Sequence, residues 1–131
     1  MHLPRSPLVW FAGFAVWFGV LWHLSSGPIP LRTGMQFPHF DKLAHFGYFF
    51  GGSGLLHAAI AFSGRCSPRT RHLLVLIVMA SVGWLDEWHQ AWVPERSGLD
   101  PWDWAADLLG ALAGGSVFDR VLPRLRRPAR A

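Results

Sequence analysis

Residues Val82–Gly110 read VGWLDEWHQAWVPERSGLDPWDWAADLLG. They hold six of the chain's eight acidic residues, Asp86, Glu87, Glu95, Asp100, Asp103 and Asp107, together with His89, Gln90 and Arg96. Long apolar runs flank them on both sides. A carboxylate at the edge of an apolar helix is costly to bury unless something compensates it. A second, smaller polar cluster, Asp41-Lys42-x-x-His45, opens an earlier apolar run. The expectation is that the two clusters meet, and that the functional site lies where they meet.

The remainder of the chain sets the fold class. Its 131 residues suit a single domain, residues 1–131. Apolar residues make up 51%, charged residues 15%, and the mean hydropathy of +0.24 is high for a soluble protein. Eight Trp and ten Phe point the same way, because the amphipathic Trp ring favours the headgroup level of a bilayer. Four apolar runs stand out: Leu8–Leu24, Leu43–Phe62, His72–Val93 and Trp102–Leu122. As a helix the first would span about 26 Å, against a hydrocarbon core of roughly 30 Å. Arg5 before it and Ser25-Ser26-Gly27 after it resemble a signal peptide, but the run is long for one and lacks an A-x-A cleavage site. Pro28, Pro30 and Pro38 predict an irregular connection to the second run. The four-residue spacings Gly47/Gly51 and Gly110/Gly114 predict close helix contacts. Together these features predict an all-α fold, an integral membrane four-helix bundle.

Basic residues predict its orientation. Arg5, Arg65, Arg69, Arg71, Arg120, Arg124, Arg126, Arg127 and Arg130 would share one side, leaving Arg32, Lys42 and Arg96 on the other. Positive charge favours the cytoplasmic side, so both termini and the basic tail 120–131 are expected in the cytoplasm of a multi-pass inner-membrane protein. All the acids but Asp119 fall at the opposite face. No solvated basic face suits nucleic acid, and the single cysteine, Cys66, has neither a disulfide partner nor metal-ligand spacing.

Counting at about 1.5 Å per residue puts His45, Glu87 and Asp107 at similar depth just inside the outer edge. Each has a polar companion three or four positions away, Asp41 for His45, Gln90 for Glu87 and Asp103 for Asp107, and such pairs share a helix face. Asp41 and Asp103 also suit helix N-termini. Asp86 is expected to meet interfacial water, His89 to face away, and His23 and His57 to be interfacial or packed. Trp22, Trp84, Trp88, Trp92, Trp102 and Trp104 read as an outer aromatic belt.

Asp41-Lys42-x-x-His45, Glu87-x-x-Gln90, Pro94-x-Arg96 and Asp103-x-x-x-Asp107-x-x-Gly110, in this order, resemble the VanZ-like family of small bacterial inner-membrane proteins. The family is named for a teicoplanin-resistance gene product, and the pattern covers residues 41–114. The chain departs from it in two places: Glu95 stands where the family often has Gly, and Asp107 where it often has Asn. The resemblance implies an envelope role related to glycopeptide resistance.

Three readings of the polar residues follow. In the first, an outward pocket binds or modifies a lipid-linked cell-wall precursor, a lipoglycopeptide or another envelope component among membrane lipids. His45, Glu87, Asp103 and Asp107 are then the candidate acid–base groups, and Asp41, Lys42, Gln90 and Arg96 the binding groups, with no cofactor required. In the second, the same residues form a buried ion-pair network of a non-catalytic assembly module. In the third, His45, Glu87 and Asp107 hold a metal ion.

Overall fold

The computed structural model describes residues 5–27 and 39–126, with side chains as far as Leu122. Of the irregular connection expected over residues 25–39, residues 28–38 lie outside the described residues, as do the side chains of the arginine-rich tail beyond Leu122. The described residues form four helices: α1 (Pro7–Ser25), α2 (Phe40–Ser63), α3 (Pro68–Gln90) and α4 (Pro101–Arg126), with no strand among them. An all-helical fold is therefore established.

Local chemistry sets the helix boundaries. Pro7, Pro68 and Pro101 each open a helix, where the missing N–H costs no hydrogen bond. Ser67 caps α3 by accepting from Thr70 N–H at 3.2 Å. Gly64, at φ 69°, closes α2 in the left-handed conformation that glycine adopts without strain. The third helix ends at Gln90, earlier than the apolar run that reaches Val93, because residues 91–93 turn back on the carbonyls of Glu87, His89 and Gln90.

Helix α2 is central. It packs on α1, α3 and most extensively on α4. Trp17 of α1 stacks on Tyr48, donates to its carbonyl at 3.0 Å, and receives the Tyr48 hydroxyl at its own carbonyl at 2.9 Å. Phe49, Leu56, Val75, Met79 and Ala111 complete the apolar core. The α2–α4 pair runs parallel, as the matched contacts along it show: Gly110 against Phe46, Gly114 against Phe50, Ala111 against Ser53, and Gly115 against His57.

The two glycine pairs behave differently. A Cβ on Gly110 or Gly114 would collide with the carbonyl oxygen of Phe46 or Phe50, so these glycines seat α4 directly on the α2 backbone. Gly47 and Gly51 face open space. Their expected role in helix contact is corrected: only one partner of the α2–α4 pair needs to be small at this crossing, and α2 instead uses Gly52, which lies against the Trp17 ring.

Polarity is arranged inside out. Ser53, His57, Arg71, Asp86, Glu87, Gln90, Asp103 and Asp107 are buried, while Leu8, Val16, Leu73, Ile77, Trp84, Trp88 and Leu109 are exposed. Only α1, among the described residues, is long and apolar enough to cross a membrane by length and composition alone. The buried polar side chains of α3 and α4 lower the mean hydropathy of those helices.

Replacing Gly110 by Ala should lower stability by about 1–3 kcal/mol, because the added methyl overpacks a backbone contact, whereas Gly47→Ala should be neutral or slightly stabilising. Thermal unfolding of the detergent-solubilised variants checks this; equal effects would contradict the assigned contact.

Candidate functional site

The N-terminal turns of α2 and α4 meet through Lys42. Its ammonium lies 2.6 Å from Asp100, 2.8 Å from Asp103 and 3.0 Å from Asp41. Asp100 precedes Pro101 and caps α4, its carboxylate accepting from Trp102 N–H at 2.8 Å. The hydrogen bond from Lys42 holds the Asp100 carboxyl below the usual carboxylate range.

One turn further along, His45 Nδ1 meets Asp107 Oδ1 at 2.9 Å, and His45 Nε2 lies 4.0 Å from Asp103. Asp107 is fully buried, packed where a Cβ on Gly83 of α3 would come within 2.8 Å of its Oδ2. From α3, Gln90 donates to Asp86 Oδ2 at 2.8 Å. Glu87 Oε2 accepts the backbone N–H of Asp100 at 2.7 Å and so ties the end of α3 to the start of α4. The other oxygens of these carboxylates, Asp86 Oδ1, Glu87 Oε1 and Asp107 Oδ2, are buried without a hydrogen-bond partner among the described residues. That is an unusual concentration of unmet acceptors, since buried polar groups are ordinarily paired.

Arg96 comes from the turn between α3 and α4. It donates to the carbonyls of Leu24 and Gly27 at the end of α1, and its Nη1 lies 3.5 Å from Gln90 Oε1. Glu95 beside it has φ 65° and Leu99 has φ 63°, both in the left-handed region that glycine favours. Gly98 permits this turn to fold against α3: a Cβ there would strike Ala91 N.

Besides a cavity of about 450 Å³ beside Lys42 and Trp102, two cavities adjoin the buried carboxylates of α3. One, of about 130 Å³, is lined by His45, Tyr48, Asp86, Gln90, Arg96 and the end of α1. The other, of about 250 Å³, is lined by Trp84, Glu87, Leu99, Asp100, Pro101 and Trp104. Glu87 bridges the two regions, since His45, Asp86 and Glu87 each present a ligand atom within 4.8 Å of the others.

No family model, curated protein or solved structure matches the chain. The chemistry of the site therefore rests on its own geometry.

That geometry brings together all eight residues singled out from the sequence, but in different pairs. Gln90 bonds Asp86, not Glu87. Asp103 meets Lys42. Asp41 is half exposed and, among the described residues, bonds only its neighbour Lys42. Two residues were missed. Asp86, expected to face interfacial water, is 2% exposed and belongs to the cluster. Extending the buried stripe Val75, Met79, Gly83 by a further turn reaches Asp86 and Gln90, so helical phase held the signal. Asp100 was legible as the capping residue before a helix-opening proline. His89, expected to face away, stacks on Trp22 at 3.9 Å between ring centres.

A second, partly buried polar group lies at the other end of the bundle. His72 Nδ1 is 3.3 Å from His57 Nε2 and 3.1 Å from Asp119 Oδ2, and Arg71 pairs with Asp119 Oδ1 at 2.5 Å. Arg71 is thus a buried cation of α3 paired with Asp119.

Lys42→Met should cost about 2 kcal/mol at neutral pH, by removing hydrogen bonds to charged groups. Asp100 has its folded pKa depressed by Lys42, so this stabilisation is present above the unfolded carboxylate value and is lost as pH falls through the folded one. The difference in melting temperature between wild type and Lys42→Met should therefore shrink below about pH 4; a difference unchanged down to pH 2 would contradict it.

Proposed function

We propose that this chain is a multi-pass protein of the bacterial inner membrane, VanZ-like in type, with both termini cytoplasmic and the carboxylate-rich pocket facing outward. The pocket binds or modifies a lipid-linked or cell-wall component whose handling affects tolerance to glycopeptides such as teicoplanin. The observation that carries the reading is the inside-out polarity. Buried carboxylates occupy the space between helices whose outer faces expose large aliphatic and aromatic side chains. Exposed apolar surface on this scale marks contact with lipid or a partner, and in lipid the polar groups must face each other. Exposed Trp22, Trp84, Trp88, Trp92 and Trp102 cluster at the pocket end, as an interfacial belt requires.

The VanZ-like reading gains support from Glu95. The family often has glycine at this position, and the backbone here adopts the left-handed conformation that glycine favours. The motif residues of α2 and α4 also face one another, Lys42 with Asp103 and His45 with Asp107.

The network reading accounts for those two pairs. It leaves Asp86 Oδ1 and Glu87 Oε1 without a purpose, because a structural network gains nothing from buried acceptors that bond nothing. The anion-binding role expected of Lys42 is narrowed, since three carboxylates of the chain already surround it. Arg96, which lines the smaller cavity, is the cation placed to meet a phosphate or carboxylate.

Glu87→Gln and His45→Ala, expressed in a bacterium whose teicoplanin tolerance depends on this protein, separate the two readings. The pocket reading expects Glu87→Gln to fold with a melting temperature near that of wild type and to lose the tolerance. Loss of tolerance only in step with loss of folded protein supports the network; a stable Glu87→Gln protein with full tolerance removes Glu87 from the function.

A further inference from the structure

Among the described residues, the pocket contains more carboxylate than its cations compensate. Lys42 serves Asp41, Asp100 and Asp103, and Arg96 donates to carbonyl oxygens and Gln90. Among the described residues neither Asp86 nor Glu87 has a cation at ion-pair distance, although they are 2% and 1% exposed. A buried charge without a partner is strongly destabilising.

We propose that His45, Asp86 and Glu87 hold a divalent metal ion of the zinc or manganese class, and that this ion is the electrophilic centre of the pocket. The inference deepens the pocket reading and rests on it only in treating this cluster as a binding site. The three residues present ligand atoms that lie within 4.8 Å of one another. Each also has one polar atom pinned and one free. His45 Nδ1 lies 2.9 Å from Asp107 Oδ1, and an imidazole that donates there from Nδ1 would turn its Nε2 lone pair to the metal. Asp86 Oδ2 is held by Gln90, and Oδ1 is buried and unbonded. Glu87 Oε2 is held by the Asp100 N–H, and Oε1 is buried and unbonded. Ligands oriented by an outer hydrogen bond are the usual construction of a metal centre, and the Asp107–His45 pair has the form of a carboxylate that orients a ligating imidazole. Asp107, read from the sequence as a possible ligand, thereby becomes a positioning residue, and Asp86 takes its place.

One nitrogen and two carboxylate oxygens suit a borderline or hard divalent ion. Three protein ligands leave further coordination positions open. A phosphate or carbonyl oxygen of the ligand can occupy one of them, with Arg96 lining the same cavity.

The test uses the full chain in detergent, stripped of metal and titrated with Zn²⁺. The expected result is one tight equivalent per chain. Asp86→Asn and Glu87→Gln should lose it, Asp107→Asn should weaken it by about 10–100-fold, and His72→Ala should leave it unchanged. X-ray absorption of the wild-type zinc complex, which needs no variant to fold, should show one imidazole nitrogen and at least two oxygens at about 2.0–2.2 Å. Failure of wild type to bind, binding indifferent to Asp86 and Glu87, or a spectrum with two imidazoles and dependence on His72 would each overturn the proposal; the last would move the ion to the His57–His72–Asp119 cluster. A chain that binds no metal yet alters teicoplanin tolerance through Glu87 overturns the metal and spares the envelope role. Metal bound at Asp86 and Glu87 without any such phenotype upholds the metal and overturns that role.

Discussion

Asp86, Glu87, Asp103 and Asp107 are buried between helices whose outer surfaces are apolar, and the architecture follows from holding these four carboxylates there. The cation and the imidazole that answer Asp103 and Asp107, Lys42 and His45, both lie in the first turns of α2. Reaching Asp103 and Asp107 in the first turns of α4 requires α2 and α4 to run parallel and in direct contact. That contact in turn requires Gly110 and Gly114, because any side chain there would strike the carbonyls of Phe46 and Phe50. The α3–α4 turn is fixed by the same demand: Glu87 takes the Asp100 N–H, Asp100 caps α4, and Arg96 ties the turn to the end of α1.

Much of this was legible in the sequence. Four apolar runs gave four helices, and punctuation by proline and glycine located their ends to within a few residues. The convergence of the 41–45 and 103–107 pairs was legible too, since three- or four-residue spacing puts each pair on one helix face and buried carboxylates seek each other. Three details were not. Four-residue glycine spacing says that a helix can approach closely but not which helix face does so; hence Gly110 and Gly114 form a contact while Gly47 and Gly51 do not. Asp86 and Glu87 are adjacent, about 100° apart around the helix, and only Glu87 was expected to point inward. Both are buried because α4 and the end of α1 cover neighbouring sectors of α3. Finally, the sequence could not show that Lys42 would be enclosed by three carboxylates, because Asp100 reaches it only through the turn.

The two ends of the bundle treat charge differently. At the His57–His72–Asp119 end both Asp119 oxygens are bonded, one to Arg71 and one to His72, and only Arg71 Nε lacks a partner among the described residues. At the Asp86–Glu87 end, carboxylate oxygens remain unmet and cavities adjoin them. The first arrangement is that of a structural pin. The second, with unmet carboxylate oxygens beside open space, suits the proposed pocket.

The central claim is that the apolar outer faces lie in lipid while the α3–α4 turn meets water. Spin labels at positions 77, 112 and 97, in a Cys66→Ser background reconstituted into bilayer nanodiscs, address it directly. Ile77 and Leu112 are exposed along the helices, and Ser97 is exposed in the turn. Labels at 77 and 112 should relax with dissolved oxygen and be shielded from a water-soluble nickel complex, while the label at 97 should show the reverse. Free access of the nickel complex to 77 and 112 would mean that these faces meet water or a soluble partner, and the account would fail.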